Sequence, residues 1–262
     1  MNLSDVSQTA IYTLICRATQ DENDKTDFKD SMSVRSLNNL IDAISEKDRK
    51  TILKWKKMIA GYGSGDARRV VWRVHTIDGI VNDYISKNPS CTVINIACGF
   101  DTRYWRIDNK NCRYIELDFP EVISQKKELL KEQLDYEMIS CSVLDTTWID
   151  KVTESGNSNF LIIAEGLFMY LPEDDAKGLL QEISRKFSHS QFVLDMIKRK
   201  YTKGFLQKLV VWQFKLFMGI DVPWVFGIQK PEDLESYGEG YKVIDVNGKT
   251  LYIITASINE NA

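Results

Sequence analysis

Apolar residues recur along this chain in two rhythms, and the change from one to the other divides it. From about Ser4 to Gln20 the positions Ile11, Leu14, Ile15 and Ala18 return every three or four residues, the period of one helix face. The polar run DENDKTD that follows predicts a loop. A second helix is expected from Val34 to Ile44. A third, basic in character and carrying Ile52, Leu53 and Trp55, spans Lys47 to Ile59 and ends in the glycine-rich GYGSGD. Val71, Val74, Ile77, Ile80, Val81 and Ile85 keep the helical period from Arg68 to Ile85, up to the breaker KNPS.

From Cys91 the rhythm changes. CTVINIA is short, β-branched and apolar throughout, as a strand covered on both faces requires. RYIELDF, YEMISCSVL, NFLIIAEGLF and QFVLDM predict further strands, with EVISQKKELLKEQL and PEDDAKGLLQEISRKF as helices among them. This alternation predicts an α/β fold, a Rossmann-like, doubly wound, mostly parallel sheet. YKVIDV and TLYIITASI, separated by Asn247-Gly248, predict a closing hairpin. The expected organisation is one domain over residues 1–262, with an N-terminal helical cap (1–66), a core (67–200), a helical, aromatic-rich insertion (201–230) and C-terminal strands (231–262). The block from Tyr201 to Phe226 reads equally well as a lid over an apolar substrate and as an ordinary core helix.

Composition narrows the chemistry. With 262 residues, 44% of them hydrophobic, the chain can bury one sizeable core. A net charge of −3 offers no overall field for a polyanion, so no nucleic-acid partner is expected. The first residues lack the pattern of a secretory signal, and no apolar run reaches the length of a membrane span, so a cytoplasmic location and no membrane partner are expected. Five scattered cysteines without a CxxC pair read as reduced thiols. With only His75 and His189 beside them, no metal site is expected.

Three segments carry candidate chemistry. In VINIACGFDTRYWRID an apolar strand runs into a tight turn at Gly99, where a missing Cβ lets a ligand approach the backbone. The turn has Ala97, Gly99 and Thr102 in place of the three glycines of a dinucleotide fingerprint, which disfavours a nicotinamide dehydrogenase. The strand in RYIELDFPEV ends in Asp118, about twenty residues past the turn, the offset at which an acid meets a ribose diol in such folds. Glu116 is its rival, and either acid also reads as a solvated strand-end charge. NFLIIAEGLFMYLPEDD brings Glu165 and Gly166 to the carboxyl edge of the sheet, where open α/β folds bind ligands.

Taken together, GFDTRYWRID, YIELDFPEVI, SVLDTTWI and IIAEGLFMYLPEDD, in this order and spacing, resemble the leucine carboxyl methyltransferase family and its bacterial small-molecule O-methyltransferase relatives, over roughly residues 8 to 200. The resemblance implies a class I methyltransferase sheet with S-adenosylmethionine as cofactor. It implies that Arg17 (in ICRAT) and Arg73 (in RVHTID) grip the methionine carboxylate, a task that suits the planar guanidinium fork. Ala97 and Gly99 would form the turn beneath the methionine moiety, and Asp118 would hold the ribose. Ser142 and Val143 would border the adenine, and Glu165 would meet the methionine amino group or the nearby ribose edge. The chain departs from the family where glycine is usual and Ala97 stands.

The resemblance further implies methyl transfer to an oxygen of a small-molecule acceptor, carboxyl or hydroxyl, with secondary metabolism as the setting. A carboxylate needs no general base and a hydroxyl does. No residue stands out as that base, so the catalytic set stays open, although Tyr170 and His75 could serve a hydroxyl. Arg103 in DTR reads first as a structural ion pair and His75 as a packed or capping residue. Two alternatives stand beside this reading: a methyltransferase for protein C-terminal carboxyl groups, and a cofactor-binding regulatory module without catalysis. The oligomeric state is not legible in the sequence.

Overall fold

The computed structural model describes residues 5–23, 26–61, 64–109, 111–131, 134–154, 159–218 and 223–259. Parts of the expected DENDKTD loop, the GYGSGD break, the end of the EVISQKKELLKEQL helix and the 201–230 insertion lie outside the described residues. Contacts gather the chain into two compact units. One comprises residues 1–82, 99–108 and 120–135, the other residues 83–98, 109–119 and 136–262. The units interleave along the sequence, where the sequence reading placed its four regions end to end.

The first unit is helical. It holds α1 (Asp5–Asp21), α2 (Ser31–Ala43), α3 (Glu46–Ala60), most of α4 (Ser64–Lys87) and α5 (Pro120–Leu130). α1 packs on α2 and α3, and α2 on α5. Ile11, Leu14, Ile15 and Ala18 are fully buried, as their spacing requires. α2 starts three residues earlier than its apolar period indicates, because the Asp30 carboxylate accepts the Ser33 backbone N–H at 3.0 Å and caps the helix there. Ser45 caps α3 in the same way through Asp48 N–H, at 3.2 Å.

A buried cluster of three acids and three arginines organises this unit. Arg103 Nε lies 2.7 Å from Asp78 Oδ1, and its Nη1 lies 2.7 Å from Asp101 Oδ2. Arg106 meets Asp78 at 2.7 Å, Asp30 at 2.9 Å and Asp101 at 3.0 Å. Arg17 Nε lies 3.2 Å from Asp30 Oδ2. Asp30 also accepts the Thr102 hydroxyl, and Asp101 Oδ1 accepts the backbone N–H of Thr102 and Arg103. Isolated buried charges are very costly, so a balanced and multiply bonded set fixes one geometry where an unmatched one would open to water. Arg103 is therefore the structural ion pair that its motif suggested.

The second unit is built on a seven-stranded sheet. Its strands are β1 (Thr92–Ile96), β2 (Arg113–Asp118), β3 (Glu137–Ser140), β4 (Phe160–Ala164), β5 (Ser190–Ile197), β6 (Tyr241–Asn247) and β7 (Leu251–Ile258). Their order is β3-β2-β1-β4-β5-β7-β6. The first five are parallel, and β7 runs antiparallel between β5 and β6. This is the expected Rossmann-like α/β sheet. Every residue of β1 and β4 is buried, which explains why both read as unbroken apolar runs. The hairpin turns at Gly248, with φ +92°.

α6 (Thr147–Thr153), α7 (Glu173–Lys186) and α8 (Gly204–Met218) belong to this unit. Trp148, Ile149, Leu179, Leu180 and Ile183 join Ile94, Ile115 and Ile162 in its core. Two boundaries differ from the sequence reading. β3 stops at Ser140 rather than running to Leu144, and α6 follows because Trp148, Ile149 and Val152 share a buried helix face. β4 stops at Ala164, since Gly166 takes φ +69°, which a strand cannot continue through.

Replacing Asp101 with Asn should lower stability by about 3 kcal/mol, since it leaves arginine charge under-compensated in a dry site. Burial opposes the Asp101 charge, but Arg103, Arg106, Arg17 and Lys126 outweigh it and hold its carboxyl well below the ordinary 3.8. A depressed folded value means that the contribution is fully present above the unfolded pKa and is lost only as pH falls through the folded one. Urea melts of the two proteins should therefore differ by a constant amount from neutrality down to about pH 5, and converge only in stronger acid.

Candidate functional site

Parallel strands carry their carboxyl ends to one edge of the sheet, and the chain must leave the sheet there. In the second unit Ile96 stands opposite both Leu117 and Ala164, and Asp118 opposite Ser140. The residues that follow these four strands include Ala97, Ser142, Val143 and Glu165, while Asp118 closes β2 itself. Five of the eight residues expected at a cofactor site thus share one sheet edge.

Each has a local reason for its place. Ala97 has φ +52°, a left-handed conformation that an L-residue with a Cβ adopts at a cost, and that explains why glycine is the usual occupant. The Cys98 N–H donates to the Leu117 carbonyl at 3.1 Å and carries the β1–β2 ladder into the turn. Asp118 is buried, and its Oδ1 accepts the Phe119 N–H at 2.7 Å. The Asp118 carbonyl accepts the Cys141 N–H at 3.0 Å, which ties the loop after β3 to the end of β2. In that loop the Ser142 hydroxyl accepts the Leu144 N–H at 3.2 Å, and the Val143 carbonyl accepts Trp148 Nε1–H at 3.1 Å. Glu165 is half-buried directly beyond β4.

Glu116, the rival of Asp118, is fully buried two residues inside the strand, where its Oε2 accepts the Tyr136 hydroxyl at 3.1 Å. Burial, together with that carboxylate, raises the Tyr136 hydroxyl above its ordinary range and keeps it a donor. Asp118, at the strand end, is the acid better placed to meet a ligand.

The other three expected residues belong to the first unit. Gly99 has φ +50°, and a Cβ built on it would stand 3.2 Å from the Ala10 methyl of α1. Arg17 is only 2% exposed, and its Nη2 donates to the Phe100 carbonyl at 2.6 Å. Its guanidinium therefore braces the turn that begins at Gly99. Arg73 lies half-buried on α4, and His75 is exposed on the same helix.

Asp195 is a residue that the sequence reading passed over. It is fully buried in β5, and its Oδ1 accepts the Gly166 N–H at 2.7 Å, pinning the turn beside Glu165. The signal was present, since an acid inside the apolar run QFVLDM must be satisfied by something specific. Among the described residues no group of three or more His, Cys, Asp or Glu is placed to hold a metal ion. No described helix is long and apolar enough to cross a membrane.

An open sheet of this order, with acids and a left-handed turn at one edge, defines a Rossmann-like α/β protein whose candidate site lies at its strand ends. The chain belongs to the leucine carboxyl methyltransferase family, whose model matches residues 10–184. It is 29% identical over 178 residues to the tetracenomycin polyketide synthesis O-methyltransferase TcmP of Streptomyces glaucescens, covering 68% of this chain and 63% of the relative. It is 23% identical over 197 residues to the S-adenosyl-L-methionine-dependent methyltransferase dpfgK of Gibberella zeae, covering 72% of this chain and 64% of the relative. The matches thus span a little under two thirds of either relative's length. A solved SAM-dependent methyltransferase from Anabaena variabilis superposes with a TM-score of 0.52 at 15% identity, covering 71% of this chain and 86% of that one, and shares its fold.

The left-handed turn yields two opposite expectations. Ala97→Gly should raise stability by about 1 kcal/mol, because relief of backbone strain exceeds the added entropy of the unfolded chain. Gly99→Ala should lower it by about 2 kcal/mol, since the new methyl meets α1 and the same strain appears. Denaturant midpoints at unchanged m value would measure both.

Proposed function

We propose that this chain is a cytoplasmic S-adenosylmethionine-dependent O-methyltransferase that acts on a small-molecule acceptor bearing a carboxyl or hydroxyl group, in secondary metabolism. The observation that carries this reading is the set of residues on one sheet edge: left-handed Ala97, the acid Asp118, the Ser142–Val143 pair and half-buried Glu165. These residues fit the parts of an adenosyl sulfonium. Asp118 can accept from ribose hydroxyls, Val143 offers an apolar wall to the base, and Glu165 offers a negative group to an ammonium. When bound, the cofactor supplies a methyl group already activated on a positively charged sulfur. The O-methyl reading draws support from the Streptomyces relative, which carries that activity in its name.

In this proposal Ala97 lets the backbone turn close under the ligand, while Asp195 holds the Gly166 N–H and so sets the direction of Glu165. Arg17, Arg73 and Gly99 enter on the family resemblance, with Arg73 holding the methionine carboxylate and Arg17 bracing the Phe100 carbonyl. The chain's task is alignment, which for an in-line displacement can supply most of the acceleration. For a carboxylate acceptor no proton need be moved. For a hydroxyl, Tyr170, half-buried just beyond β4, is the candidate base.

Calorimetric titration with S-adenosylmethionine should show saturable binding, weakened tenfold or more in Asp118→Ala. Absence of binding by the intact chain would overturn the proposal, and binding without turnover on panels of acids and phenols would turn it into a regulatory module. With a carboxylic acid acceptor the rate should be level above about pH 5.5, because the nucleophile is already ionised; with a phenol it should climb toward the phenol's own pKa.

A further inference from the structure

An amphipathic helix normally turns its apolar stripe toward the core. α8 is apolar on both sides and keeps one apolar stripe turned outward. Phe205, Leu209, Trp212 and Leu216, spaced by four, three and four residues, fall on one stripe, and they are 77%, 38%, 57% and 60% exposed. The opposite side carries half-buried Val210, Val211 and Gln207, whose Nε2 donates to the Trp224 carbonyl at 2.8 Å and anchors the helix. The outward stripe therefore follows from how the helix is seated.

Charge accompanies the stripe. Between Asp195 and Asp221 the chain has six basic residues and no acid, in a protein whose net charge is −3. Two of the six, Lys208 and Lys215, flank the stripe on one side and are exposed. Lys203 is exposed one residue before the helix starts. At 1.5 Å per residue the helix extends about 22 Å, and an apolar stripe beside a basic flank suits it to lie within an interface rather than to cross one.

We infer that α8 docks on an anionic lipid surface, with Phe205, Leu209, Trp212 and Leu216 entering the acyl boundary and Lys203, Lys208 and Lys215 meeting phosphate headgroups. A second copy of the chain is the poorer occupant, because face-to-face pairing would bring two basic segments together. The aromatic composition fits the headgroup level, where Trp and Phe side chains settle. The surface would give the protein access to acceptors dissolved in lipid. It runs against the sequence expectation of no membrane partner, because a helix that lies flat needs neither the length nor the unbroken apolar run of a span.

Co-sedimentation of the full chain with large unilamellar vesicles tests this. Partitioning should be clear on equimolar phosphatidylglycerol and phosphatidylcholine, weak on phosphatidylcholine alone, and reduced by salt. Replacing Lys208 and Lys215 together with Gln should weaken it by about fivefold per residue. Phe205→Ser with Trp212→Ser should remove most of the rest. All four side chains are exposed, so thermal midpoints should stay unchanged and separate lost docking from lost folding. Equal partitioning on both lipids, no sedimentation at low salt, or variants that bind like the parent would each overturn the inference. So would a dimer in sedimentation velocity that Trp212→Ser dissolves while vesicles capture nothing.

Discussion

Parallel hydrogen bonding of β1 to both β2 and β4 is the constraint from which the rest of the second unit follows. Ile96 faces Leu117 on one side and Ala164 on the other, so the three strands end together at one edge. No strand can deliver its next residue anywhere else. The chain leaves β1 through left-handed Ala97, leaves β2 at Asp118, and leaves β4 through the positive φ at Gly166. The candidate site is thus a consequence of register, and a slip of one residue would turn Asp118 to the other face of the sheet.

Buried polar groups then fix details that apolar packing leaves open. In the second unit Asp195 holds the Gly166 N–H, and Tyr136 holds Glu116. In the first, three carboxylates and three guanidinium groups bind the start of α2, the body of α4 and the turn from Asp101 to Arg106 into one set. Apolar surfaces tolerate sliding, whereas a charge removed from water tolerates only the geometry that satisfies it. Arg17, joined to this set through Asp30, carries the constraint to the Phe100 carbonyl.

Much of this was legible in the sequence, and the divisions are physical. β1 and β4 declared themselves as apolar runs because both faces are covered, and α1 did so through the spacing of Ile11, Leu14 and Ile15. The ordered motifs located the sheet edge, since YIELDFPEVI and IIAEGLFMYLPEDD span a strand end and the other two begin just past one. What periodicity missed depended on particular side chains. α6 is only seven residues long, and the turn before it is set by the Trp148 indole, which donates to the Val143 carbonyl five residues back. The early start of α2 rests on Asp30, and the bracing role of Arg17 rests on a carbonyl 83 residues away. Pairings at such separation leave no local trace, so this contact was not legible beside the cofactor role that the family resemblance implies for Arg17.

The account stands or falls on whether adenosine rests against the end of β2. A crystal structure of the chain soaked with S-adenosylhomocysteine measures this directly. The account requires the ribose hydroxyls within hydrogen-bond distance of the Asp118 carboxylate and the adenine alongside Val143. A nucleoside bound at any other edge of the sheet, out of reach of the Asp118 carboxylate, would contradict it.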